Sequence, residues 1–211
     1  MTLMNILKQG FDEAEVLELR RRYQATGYVH IPGFFDSFLA AHFRSLIDSI
    51  HISEFYKAQI GQEYVATDYS FSPELIKEYN VLINQQRYID FLQAVTGADP
   101  IGCMQGHVYV SDNTQKRGYG FHSDDDGNRH FLVSINISEK PFEGAIFSLR
   151  ETATKKNIFH LQNNDPGGFL LCRIGSDIEH AISDVTGPAK RIVLLSWAFK
   201  EPSLKKFHHF E

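Results

Sequence analysis

Residues 168–199 read GFLLCRIGSDIEHAISDVTGPAKRIVLLSWAF. The stretch contains three short, mostly apolar runs: Gly168 to Ile174, Ile178 to Ser183 and Arg191 to Phe199. They are too short and too rich in branched and aromatic residues for buried helices, and Thr186-Gly187-Pro188 marks a turn before the last of them, so each reads as a β-strand. Working outward, similar runs lie at Gly106 to Val110, Phe131 to Ser138 and Ala145 to Leu149. Ser111-Asp112-Asn113, Lys140-Pro141 and Asn163-Asn164-Asp165-Pro166-Gly167 supply turn residues between them. Many short strands separated by turns predict an antiparallel barrel or jelly roll over about residues 100–200.

The part of the chain before Pro100 reads differently. From Asp12 to Thr26, Val16, Leu17, Leu19 and Tyr23 recur at helical spacing and Gly27 is a stop signal. Tyr28-Val29-His30-Ile31 is a short strand broken by Pro32-Gly33. Asp36 or Ser37 can cap a second helix with Phe38, Leu39, Phe43, Leu46, Ile47 and Ile50 inward. A third helix is predicted over about Asn84 to Thr96, ended by Gly97. With no repeat, linker or low-complexity tract, residues 1–211 are expected to form a single domain. Its class is α+β but mainly β, a double-stranded β-helix barrel of the jelly-roll or cupin type, with the N-terminal helices of about residues 1–99 packed on one sheet.

Composition narrows the function. With 43% hydrophobic and 22% charged residues the chain is too apolar to be disordered. A formal charge of -5 without a basic cluster argues against nucleic acid as a partner. No apolar run is long enough to span a membrane, and the opening MTLMNILKQGFDEAEV does not fit a signal peptide. Two cysteines, Cys103 and Cys172, are too few for a disulfide framework or a cysteine zinc site. Both are expected in the core of a cytoplasmic protein.

Three features could carry chemistry. His122 and Asp124 lie two residues apart in Gly120-Phe121-His122-Ser123-Asp124-Asp125-Asp126-Gly127. On an extended segment, residues i and i+2 face the same side, so an imidazole and a carboxylate can reach one ion. His180 stands alone among apolar residues in the run from Ile178 to Ser183, and would complete a two-histidine, one-carboxylate set. Such a set leaves about three positions open on an octahedral Fe(II). Arg191 opens the last strand, eleven residues beyond His180. If it points inward, its buried charge requires an anion, which a dicarboxylate would supply through a bidentate contact. Taken separately, each feature also fits a bland role: a solvated acidic loop, a core histidine, an arginine reaching to solvent.

Together they resemble the Fe(II)/2-oxoglutarate-dependent oxygenases, in the prolyl-hydroxylase-like branch. The resemblance rests on His122-Ser123-Asp124, Glu143-Gly144-Ala145-Ile146-Phe147-Ser148-Leu149, Pro166-Gly167-Gly168-Phe169-Leu170-Leu171, His180-Ala181-Ile182-Ser183-Asp184-Val185-Thr186-Gly187 and Arg191. Gly27 to Asp36 also looks like the family's entry segment. The resemblance implies His122, Asp124 and His180 as metal ligands, with Fe(II), 2-oxoglutarate and O2 as cofactor and co-substrates. It further implies Arg191 as the partner of the distal carboxylate of 2-oxoglutarate, and oxidation of an unactivated C–H bond with release of succinate and CO2. Asp124 argues for hydroxylation over halogenation, since halogenating relatives carry a small residue there; desaturation stays open. Asp125 and Asp126 compete for the ligand role, and spacing favours Asp124. His130 is read as lying at the rim or behind the ligands.

Val193 stands where many members carry Ser or Thr, so Tyr109 is a candidate to supply that hydrogen bond to 2-oxoglutarate. The substrate is expected to be a small molecule, amino acid or peptide, with Arg129 and Arg150 as candidate carboxylate readers. Thr114 to Tyr119 would form a lid, and His208 and His209 would face solvent. Two other readings remain: a non-catalytic jelly-roll binding module, and a metal-dependent cupin-type enzyme that does not use 2-oxoglutarate. The second has no need of Arg191.

Overall fold

A computed structural model describes residues 11–48, 59–60, 63–64, 73–113 and 118–202. In chain order the elements are α1 (Glu13–Thr26), β1 (Tyr28–Ile31), α2 (Ser37–Asp48), β2 (Gln59–Ile60), β3 (Glu63–Tyr64), α3 (Pro73–Ile83), α4 (Gln86–Thr96), β4 (Cys103–Ser111), β5 (Tyr119–His122), β6 (Arg129–Asn136), β7 (Phe147–Glu151), β8 (Asn157–Leu161), β9 (Phe169–Arg173), β10 (Ile178–Ile182) and β11 (Arg191–Phe199). A five-stranded sheet runs β1-β9-β6-β11-β4 and a four-stranded sheet runs β5-β10-β7-β8; β2 and β3 form a separate ribbon. Every pairing is antiparallel.

Alternation along β11 assigns the layers. Ile192, Leu194 and Ala198 point to the helices, where they join Val29, Phe131, Val133, Ile135, Phe169 and Leu171 beneath α1 to α4. Leu195 and Trp197 point the other way, into a smaller cluster between the sheets with Leu132, Leu149, Cys172 and Ile178. A two-residue period therefore puts Arg191 and Val193 on the inter-sheet face too. The helix layer sits close: a Cβ at Gly106 would lie 2.3 Å from Cδ1 of the fully buried Tyr79. The bare backbone of β4 at that point is what lets α3 pack flat.

Local chemistry ends the helices where the sequence indicates. Asp12 caps α1 reciprocally: its Oδ1 accepts from the Glu15 N–H at 2.8 Å, and the Glu15 Oε2 accepts from the Asp12 N–H at 3.0 Å. Gly27 closes α1 at φ 78°, a left-handed geometry that glycine adopts without steric cost. The chain then turns straight into β1, whose Tyr28 stacks on Phe159 of β8 with ring centroids 3.8 Å apart. That contact joins the edge strands of the two sheets.

The fold is the expected double-stranded β-helix type with helices outside one sheet, though the two sheets are separate hydrogen-bonded units and not one closed barrel. Several details differ from expectation. The helix predicted from Asn84 starts at Gln86, and α3 precedes it where no helix was predicted. β5 and β8 were not predicted as strands. Phe38 was predicted inward but is 78% exposed, because it shares a helix face with His42 and Ser45 while Leu39, Phe43 and Ile47 form the buried stripe. Cys172 is buried as predicted, whereas Cys103, at the start of β4, is only half-buried. Ile50, residues 114–117 of the expected lid, and the His208-His209 tail lie outside the described residues. Among the described residues no helix is long and apolar enough to cross a membrane.

Candidate metal and co-substrate site

β5 and β10 are neighbours in the smaller sheet, and their register places His122 directly opposite His180. The two imidazoles face the same side with ring centroids 4.3 Å apart. Asp124 follows two residues after β5 ends and folds back over them. Its Oδ1 lies 3.6 Å from His122 Nε2 and its Oδ2 lies 3.7 Å from His180 Nε2. One ligand atom from each residue falls within 4.8 Å of the others, and no other such group of three occurs among the described residues.

The protonation states suit a metal. His122 Nδ1 donates to the Gly120 carbonyl at 2.8 Å, which leaves Nε2 as the lone-pair nitrogen facing Asp124. Burial pushes the His180 imidazole down to about 4, against the opposing pull of Asp124 and aided by His122 and Arg129. His180 is therefore neutral near pH 7, as a ligand must be. Aromatic rings fix both histidines: Tyr119 meets His122 edge-on at 4.4 Å, and Phe147 stacks on His180 at 5.7 Å. The oxygen-plus-imidazole donor set fits a divalent first-row ion such as Fe(II), and with three protein ligands it leaves coordination positions open.

Asp125 and Asp126 turn to the loop, where their Oδ1 atoms accept from the N–H groups of Gly127 and Asn128, each at 3.0 Å. Spacing alone had favoured Asp124, and the geometry places only that carboxylate against both imidazoles. His130 donates from Nε2 to the Pro100 carbonyl at 2.9 Å, away from the triad. At the base of the expected lid, the Gly118 N–H donates to Asp184 Oδ1, just past β10.

Arg191 comes from the other sheet. Its cross-strand partner is Ser111, and Val193, two residues along, faces Tyr109. Burial lowers the guanidinium to about 10, partly offset by the nearby Tyr109. Among the described residues it makes no hydrogen bond or ion pair, so its charge is desolvated without an anionic protein partner. Val193 supplies no polar group, and the amide of neighbouring Asn136 is taken by the Asp165 carbonyl and the Ser138 N–H. Tyr109 thus stands on the same face as Arg191 and close enough to interact with it.

Arg150 and Arg129, the candidate carboxylate readers, both contact other groups of the protein. Arg150 Nε donates to Glu179 at 2.6 Å and the guanidinium lies 3.8 Å over the Phe121 ring. Arg129 leans on Asp124, with Nη1 3.5 Å from Oδ1 and donating to the main-chain carbonyl at 3.3 Å. Trp197 reads in the sequence as one more residue of an apolar strand, yet its indole N–H donates to Asp124 Oδ2 at 2.7 Å. A signal existed: a tryptophan in phase with Arg191 on a two-faced strand has to place its N–H on some acceptor.

No family model and no curated protein matches this sequence. Solved structures do. An oxidoreductase of the 2OG-Fe(II) oxygenase family from Burkholderia pseudomallei is 15% identical, with 94% of this chain and 97% of that one covered at a TM-score of 0.66. A Pseudomonas putida prolyl-4-hydroxylase is 13% identical, covering 89% and 100% at 0.65. The epimerase SnoN, in complex with Fe3+, alpha ketoglutarate and nogalamycin RO, is 14% identical, covering 93% and 90% at 0.64. The chain has the fold of the 2-oxoglutarate–Fe(II) oxygenases, prolyl hydroxylases among them.

Proposed function

We propose that this chain is an Fe(II)- and 2-oxoglutarate-dependent dioxygenase that hydroxylates an unactivated C–H bond of a small molecule, amino acid or peptide. The convergence of His122, Asp124 and His180 carries the reading. Arg191 separates it from a metal enzyme of the same fold that does not use 2-oxoglutarate, because a desolvated cation on the inter-sheet face of β11 is suited to a dicarboxylate. The fold's neighbours act on different substrates, from prolyl residues to a nogalamycin compound, so the substrate class follows from them only in this broad form. The free Cys103 and Cys172 suit a reducing cytoplasm.

In this reading His122, Asp124 and His180 hold iron, and Arg191 with Tyr109 holds the distal carboxylate of 2-oxoglutarate. Iron with bound 2-oxoglutarate supplies O2 activation coupled to decarboxylation to succinate and CO2. The protein's own residues bind, orient and exclude water. Arg191 fixes the far end of the co-substrate by a charge-assisted contact, which orients the keto-acid end toward the triad. Leu195, Leu149 and Ile178 line the inter-sheet space and keep it apolar.

The test is an anaerobic titration of the full chain with Fe(II) and 2-oxoglutarate. A weak visible absorption band that requires both additions is expected, and it should be absent in His180→Ala. A wild-type chain that shows no band, or a band unchanged in the variant, sinks the reading. Product mass then checks hydroxylation, which adds one oxygen atom, whereas desaturation or epimerisation does not.

A further inference from the structure

Asp124 lies beyond the end of β5, on a loop, and a carboxylate's last torsion is soft. Nothing in β5 itself would keep it over the two imidazoles. Two residues from the large sheet do. Trp197, seventy-three residues away in sequence, donates its indole N–H to Oδ2 at 2.7 Å. Arg129 approaches Oδ1 at 3.5 Å and donates to the Asp124 carbonyl at 3.3 Å.

These two residues are themselves joined. The guanidinium carbon of Arg129 lies 5.2 Å from the Trp197 ring centroid and 5.5 Å from that of Phe199. Trp197 and Phe199 are i and i+2 on one face of β11, so they form a cradle, and Phe199 pairs with Arg129 across the β11–β6 ladder. Arg129 Nε makes no hydrogen bond and lies 3.5 Å from Asp126 Oδ2, so the cation braces Asp126 as well as Asp124. Trp197 thus uses its edge to hold the carboxylate and its face to hold the cation beside it. For a side chain that merely fills space, neither orientation is required.

We propose that Trp197 and Arg129 are positioning residues for the metal carboxylate: they fix Asp124 toward both histidines before an ion arrives. The proposal rests on the reading of His122, Asp124 and His180 as a metal site. Groups that orient metal ligands from behind usually alter metal affinity about 10–100-fold when removed. Trp197 is also the chain's single tryptophan, so its fluorescence reports on this site alone.

The experiment titrates the full-length chain with Mn(II), reading free Mn(II) by electron paramagnetic resonance and tryptophan emission in parallel. Trp197→Phe keeps an aromatic ring for Arg129 but removes the donor, and should weaken Mn(II) binding about 10–100-fold while circular dichroism stays native. Arg129→Gln should weaken it in the same direction. In wild type and Arg129→Gln, emission should be quenched in step with occupancy, because the indole touches a ligand of the paramagnetic ion. Equal Mn(II) affinity in wild type and both variants overturns the positioning role and leaves the metal site intact. Should Trp197→Phe fail to fold, unchanged affinity in Arg129→Gln, or occupancy without quenching in wild type, overturns it instead. A wild-type chain that binds no Mn(II) overturns the metal reading itself.

Discussion

The larger sheet is covered on both faces and the smaller sheet on one. Along β6 and β9 nearly every residue is buried, half of them against helices and half against the opposite sheet. In the smaller sheet only alternate residues are covered, and the outer face carries polar groups: Arg150 and Lys155 on Glu179, and a hydrogen bond between Ser148 and His160 at 2.8 Å. The two histidines come from the thinly covered sheet, while Arg191 and the Trp197–Arg129 brace come from the thick one. Support and access are therefore divided between the sheets: one supplies a fixed wall with an anchoring charge, the other brings ligands to an edge that solvent and substrate can reach.

Truncations measured by urea denaturation give the largest test of that contrast. Phe169 is fully buried, packed on Phe34 with centroids 4.3 Å apart and on Phe91 at 6.5 Å. Phe169→Ala should cost about 3–5 kcal/mol, the range for a phenylalanine removed from a closed core. Phe159→Ala, on the edge strand of the small sheet, should cost clearly less, because that ring is only partly buried. Equal losses would mean that the two sheets share the stability evenly, and would break the comparison.

A smaller effect, with opposite signs in two assays, is expected at Arg191. Replacing it with Met removes a desolvated cation that no described residue pairs with. The ligand-free chain should melt at the same temperature or higher, since well-packed apolar residues can match or outdo buried charges. The same Arg191→Met change should raise the half-saturating 2-oxoglutarate concentration about 100-fold, roughly 2.7 kcal/mol by the relation of free energy to affinity, with metal affinity unchanged. A fall in melting temperature together with unaltered 2-oxoglutarate binding would make Arg191 a structural residue of the thick sheet.

The same division explains which parts were legible in the sequence. Strands of the covered sheet announce themselves as continuous apolar runs, as Arg191 to Phe199 and Phe131 to Ser138 do. β8 reads Asn157-Ile158-Phe159-His160-Leu161, a five-residue edge strand whose apolar residues do not alternate with polar ones, so it does not stand out. α3 is not among the predicted helices, although its sequence carries the signal: Leu75, Tyr79, Leu82 and Ile83 recur at i, i+4, i+7 and i+8, and all are buried. His122, Asp124, His180 and Arg191 could be picked out only as a set, because each alone also fits a bland role and their order along the chain is what carries the resemblance. Of the brace behind Asp124 only the need of the Trp197 N–H for some acceptor was legible; that Asp124 is the acceptor was not, since a hydrogen bond spanning seventy-three residues depends on tertiary register, which no local pattern encodes.

The smallest effect is expected on the outer face of the small sheet. Ile158 is 41% exposed on β8, which among the described residues pairs only with β7. Ile158→Lys places a charge on an edge strand, where such residues are common and discourage pairing with another chain. Denaturation should register a change within about 0.5 kcal/mol, as for most surface substitutions. The sedimentation coefficient should stay the same. A loss of more than about 2 kcal/mol, beyond what surface positions usually show, or a shift to a smaller species in the ultracentrifuge, would mean that this face is covered in solution by a second molecule. The small sheet would then be as enclosed as the large one, and access to the metal ligands would have to run along the strand ends instead of over the open edge.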